Sequence, residues 1–84
     1  MSTHPISNSY TAQCARLLRY LKENGTVTTL QARHLLAVMH PAGRIKDLRN
    51  AGYTILTYWV FDTDSTGVRH RQGLYVLKAG DNND

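Results

Sequence analysis

Eighty-four residues make one small domain, near the lower limit at which a hydrophobic core holds a fold unaided. The formal charge of +4 is uneven, since all ten Lys and Arg but only four of the six acids lie between residues 11 and 78. One cysteine excludes an intrachain disulfide framework, and no apolar run approaches the roughly 20 residues that span a bilayer. A body more basic than the whole chain suits a polyanionic partner. The N-terminus lacks a basic region followed by an apolar one, so the chain is expected in the cytoplasm.

Residues 1–9 are small, polar and without period, and are read as a flexible arm. From Thr11 to Asn24 the apolar residues Cys14, Leu17, Leu18 and Leu21 recur at i, i+3, i+4 and i+7, which predicts a helix that ends at Gly25. Arg16, Arg19, Lys22 and Glu23 occupy its other faces and are expected in solvent. Cys14 falls on the apolar face and reads as a buried small hydrophobe. Thr26-Val27-Thr28 is β-branched and predicts a short strand that joins a later hairpin.

Thr28 stands three residues before Gln31, the spacing of a capping box, so a second helix starts there with Ala32, Leu35 and Leu36 inward. It stops near Ala37-Val38. Ala37 falls where glycine often supplies a left-handed turn, which favours a longer and looser connection here. A third helix starts with His40 as cap and Pro41 in the first turn, where a missing N–H is harmless. Ile45 and Leu48 give it an inward stripe, and Gly52 ends it in a left-handed conformation. Two short helices with a turn of roughly three or four residues between them form the unit that presents a recognition helix to DNA.

Beyond Gly52 the period changes. Tyr53 to Asp62 and Val68 to Leu77 are strand candidates about the turn cluster Asp64-Ser65-Thr66-Gly67. With Thr63 opposite Val68, Ile55 faces Val76, Thr57 faces Leu74 and Trp59 faces Gln72. That register turns Ile55, Thr57, Leu74 and Val76 toward the helices. Leu56, Tyr58, Val60, Arg69, Arg71 and Tyr75 then lie on the opposite face, and a slip of one residue reverses every assignment. His70 is expected on the helix side near Phe61. Residues 79–84 read as a flexible acidic tail, leaving a domain over residues 10–78.

Three helices, a short strand between the first two and a C-terminal hairpin make an α+β winged helix-turn-helix. The segment TLQARHLLAVMHPAGRIKDLRNAGYTILT resembles small winged helix-turn-helix domains that recur in bacteriophage and prophage genomes. Its most distinctive portion is Met39-His40-Pro41-Ala42, followed by Arg44-Ile45, Leu48-Arg49 and Gly52-Tyr53, and the resemblance covers residues 12 to 77. It implies a winged-helix fold and DNA binding, without a defined cellular role.

With Ile45 and Leu48 inward, the outward face of the third helix holds Gly43, Lys46, Asp47 and Asn50, with Arg44 at one border and Arg49 nearer the core. Asn50 suits a bidentate contact to adenine, and Arg44 one to guanine. Asp47 either orients Arg44 or accepts from a cytosine amino group. Arg33 and His40, beside the turn, join the same candidate set. Arg69 and Arg71 share parity on the hairpin, where wings meet phosphates or the minor groove. The partner so implied is double-stranded DNA, read specifically or bound architecturally, in a regulator of phage or prophage type. The surplus of aromatic residues on the hairpin suggests a weak homodimer through Leu56, Tyr58 and Tyr75. The rival reading is a winged-helix protein-interaction module that does not touch DNA. No enzyme is expected: His34 and His40 lack ligand-spaced partners, Cys14 lacks a base, and no glycine-rich phosphate loop occurs. Neither a cofactor, a metal nor a small-molecule substrate is implied.

Overall fold

A computed structural model describes residues 9–78 of the chain. The elements run α1 (Tyr10–Asn24), β1 (Thr26–Thr28), α2 (Thr29–Leu36), α3 (Pro41–Asn50), β2 (Ile55–Thr63) and β3 (Arg69–Leu77). The expected arm and tail lie outside the described residues, except for Ser9. Its side chain accepts from Ala12 N at 3.1 Å and caps α1.

Local chemistry fixes most boundaries. Gly25 ends α1 at φ 86°, donating to Leu21 O at 2.7 Å. The capping box forms in both directions: Gln31 N donates to Thr28 Oγ1 at 3.1 Å, and Thr28 N donates to Gln31 Oε1 at 2.9 Å. Pro41 opens α3, and His40 holds the cap position without a side-chain hydrogen bond. Gly52 follows α3 at φ 109°.

Ala37 departs from the expected loose connection. It takes the left-handed conformation itself, at φ 56° and ψ 36°, and keeps the turn tight. Arg16, expected in solvent, reaches over from α1. Its Nε donates to Leu36 O at 2.7 Å and its Nη2 to Ala37 O at 3.4 Å. These bonds satisfy the last carbonyls of α2 and hold a residue whose Cβ disfavours that geometry by about 1–2 kcal/mol. Ala37→Gly is therefore expected to stabilise the domain by about 0.5–1 kcal/mol once glycine's greater unfolded-state freedom is subtracted. Urea unfolding measures it, and a lower midpoint would refute the strain.

The core gathers Leu17 and Leu21 from α1, Val27 from β1, Ala32 from α2 and Val38 from the turn. Ile45 and Leu48 of α3, with Ile55 and Tyr75 of the hairpin, complete it. Leu36 packs partly against this cluster, but Leu35 is 63% exposed, contrary to the inward position read from periodicity. Within this eight-residue helix only Ala32 is fully buried, and Leu35, about 60° round the helix from it, falls outside the strip that the core covers.

The sheet is antiparallel in the order β1-β3-β2, with β3 central. Its register differs by one residue from the expected one. Thr63 pairs with Arg69, Trp59 with Gly73, Thr57 with Tyr75 and Ile55 with Leu77. The cause lies at the tip, where Asp64 N donates to Val68 O at 3.0 Å and Gly67 N to Asp64 O at 3.0 Å. Val68 thus belongs to the loop. The helix-facing side carries Ile55, Trp59 and Phe61 with Arg69, Arg71 and Tyr75, so the two arginines and Tyr75 exchange faces with Leu74 and Val76. Leu56, Tyr58 and Val60 remain on the outer face.

Candidate nucleic-acid interface

The faces of α3 follow from the burial of Ile45 and Leu48. Ala42, Lys46, Arg49 and Asn50 are exposed, while Gly43 and Asp47 are half-buried. Arg44 is corrected from border to interior, being only 7% exposed. Its Nε donates to Asp47 Oδ2 at 2.8 Å, and its guanidinium lies 3.6 Å from the centre of the Tyr10 ring. The first of the two roles weighed for Asp47, orienting Arg44, is the one its geometry fits. A buried cation is retained where it is paired and hydrogen-bonded, and here it clamps α3 to α1. Cys14 adjoins the clamp, its Sγ 3.9 Å from Asp47 Oδ2. Burial, then the Asp47 carboxylate, pushes the thiol above its ordinary value, so it stays protonated at neutral pH.

Arg49 is also engaged. It donates from Nε to Ile55 O and from Nη2 to Thr57 Oγ1, both at 2.8 Å, tying the end of α3 to the start of β2. The exposed helix face is left to Lys46 and Asn50. Arg33 spans the turn, its Nε donating to Met39 O at 3.3 Å, and His40 is exposed beside it.

On the wing, each arginine lies against an aromatic ring of β2. The Arg69 guanidinium is 4.5 Å from the centre of Phe61, and that of Arg71 is 4.6 Å from Trp59. Such pairs hold long cations in one orientation while the charge stays exposed. His70 is not near Phe61 as expected. It points from the outer face to Asp64, with Nε2 2.6 Å from Oδ2. The same Asp64 carboxylate accepts from Thr66 N, Thr66 Oγ1 and Val68 N. Bonds from the Thr66 hydroxyl, then His70 and Val68, hold this carboxyl well below the usual range, so the tip stays organised as pH falls.

Helices and wing meet across a groove of about 860 Å³. The first turn of α3 (Pro41, Ala42 and Gly43), Arg33 and His40 line one side, and Trp59 and Arg71 line the other. Gln72 joins the two bodies, its Oε1 accepting from Leu30 N in the first turn of α2 at 3.0 Å. Neither Tyr10 nor Gln72 was singled out by the sequence; both act on residues more than thirty positions away, and no local pattern marks them. Among the described residues no cluster of His, Cys, Asp and Glu has metal-binding geometry, and no helix is long and apolar enough to cross a membrane.

A family model described as the winged helix-turn-helix domain matches residues 12–80. The chain belongs to that family. Winged helix-turn-helix domains are generally DNA-binding, and the three helices with a three-stranded antiparallel sheet are the arrangement expected of one. No curated protein matches the chain, and no solved structure does.

Proposed function

We propose that this winged helix-turn-helix domain binds double-stranded DNA as a regulator of phage or prophage type, with α3 in the major groove. The wing lies on the adjoining backbone or minor groove. The observation that carries this reading is the groove itself, where the first turn of α3 and wing residue Arg71 stand opposite one another. A duplex against α3 therefore meets the wing as well. Lys46 and Asn50 are both exposed, the first suited to a phosphate and the second to a base edge. Arg44 supports α3 from behind, and its place in the reading is positional. Gly43 admits close approach, while Arg33, His40, Arg69 and Arg71 supply the flanking polar contacts. A second copy paired through the outer sheet face, where Leu56 and Tyr58 are exposed, sets two recognition helices on one duplex.

That same apolar face favours the second reading, a docking module for another protein. Titration of random duplex at rising salt separates the two. The DNA reading expects log affinity to fall linearly with log salt, by about 0.9 per phosphate contacted. Lys46→Ala is expected to reduce that slope by about 1 for every sequence, and Asn50→Ala to relax preference at one base pair by about 1–3 kcal/mol. Absence of binding at low salt would leave the docking module standing. Sedimentation of the saturated complex counts the copies per duplex.

A further inference from the structure

The inner face of the wing carries more than cations. Trp59 and Phe61 are 58% and 61% exposed on the same face of the hairpin, each with a guanidinium already stacked against it, and Trp59 lines the groove. Phosphate contact along a duplex needs the arginines but not these rings, whose large apolar surfaces are unfavourable in water. Paired bases in a continuous stack also offer an aromatic ring no π-face. Rings beside backbone-neutralising cations are the chemistry that holds unpaired nucleotides, because every base has a face to stack and a phosphate to balance.

The groove beside Trp59 has the matching shape. Its volume falls within the usual range for small-molecule sites, roughly 300–1,000 Å³. Gly73 contributes no side chain at its floor, where an added Cβ would stand 3.1 Å from the Tyr75 hydroxyl. Leu30, Pro41 and Ala42 supply apolar wall, and His40 and Arg33 supply donors on the helix side. Of the two carboxylates at the tip end, Asp64 is taken up by Thr66, Val68 and His70, and Asp62 accepts from Thr63 N and Gln72 Nε2. Neither carboxylate forms an ion pair with Arg69 or Arg71 among the described residues, so those two cations remain available to a phosphate.

We infer that the Trp59 side of this groove holds an unpaired nucleotide of DNA, its base stacked on the indole and its phosphate beside Arg71. The preferred ligand is then a duplex that ends in, or opens into, a single-stranded tail. This rests on the DNA-binding reading above and extends it to the wing.

Trp59 is the only tryptophan of the chain, so its fluorescence reports the site directly. The probes are a blunt duplex, the same duplex with a short single-stranded DNA tail, and the tail alone. Labelled-DNA anisotropy is read in parallel. The expected result is quenching by the tailed duplex and the tail but not by the blunt duplex, with the tailed duplex bound about tenfold more tightly than the blunt one. Trp59→Ala is expected to abolish that preference, bringing the tailed and blunt duplexes to equal affinity, and Trp59→Phe to restore part of it. Equal affinity for blunt and tailed duplexes, or a tail preference that survives in Trp59→Ala, overturns the inference alone. Failure to bind any of the three overturns the DNA-binding reading with it.

Discussion

Ile45→Ala is expected to destabilise the domain by about 2–5 kcal/mol, the range for removing a large aliphatic side chain from a packed interior. Ile45 is 1% exposed and sits on the helix that must be held in place for any reading of DNA. A small domain has roughly 5–15 kcal/mol in all, so the variant stands near the edge of folding. Denaturant unfolding measures the loss. Lys46→Ala, one residue along and exposed, is the matched control and should move stability by no more than about 0.5 kcal/mol. Equal midpoints for the two variants would mean that α3 is rotated from the orientation described.

The second large effect is on affinity. Replacing both Arg69 and Arg71 by Ala is expected to weaken binding to all duplexes alike. The slope of log affinity against log salt should fall by about 1.8 if each arginine neutralises one phosphate. Lysine at both positions keeps the charge but lacks the flat guanidinium that stacks on Phe61 and Trp59. The double lysine variant should therefore recover the slope while recovering less of the affinity. A change confined to particular sequences would assign these residues to base reading, and an unchanged slope would remove the wing from the interface.

The helix boundaries were legible because their chemistry is local. Thr28 with Gln31, Gly25, Pro41 and Gly52 each act within one turn of the backbone they terminate. The hairpin register was not legible, because it depends on whether Val68 pairs or belongs to the loop. The Asp64 carboxylate decides that by gathering Thr66 and Val68 amides about itself. Once pairing begins at Arg69, every later residue of β3 changes face, and Tyr75 enters the core in place of Leu74 and Val76.

The candidate site divides the same way. Helical periodicity placed Lys46 and Asn50 outward and Ile45 and Leu48 inward, as they lie. It put Arg44 at the border, since a guanidinium enters an interior only when partners await it. Those partners are Tyr10, on another helix, and Asp47. Ala37 shows the converse: the residue type argued against a left-handed turn, and Arg16 from α1 supplies bonds that hold one. Interactions across the fold decided each of these positions.

The sheet order has a consequence for synthesis. The central strand β3 is the last described element to be made, and it carries the core residue Tyr75 and the partners of both β1 and β2. A nascent chain that has exposed only the three helices holds seven of the nine core residues but no sheet to cover them. At roughly 5–20 residues per second, the hydrophobic faces of α1 and α3 wait seconds on the ribosome before Tyr75 emerges to close them. Val27 joins β3 across nearly fifty residues of chain, so that pairing closes late. A premature stop before β3 thus yields an aggregation-prone fragment instead of a smaller working domain.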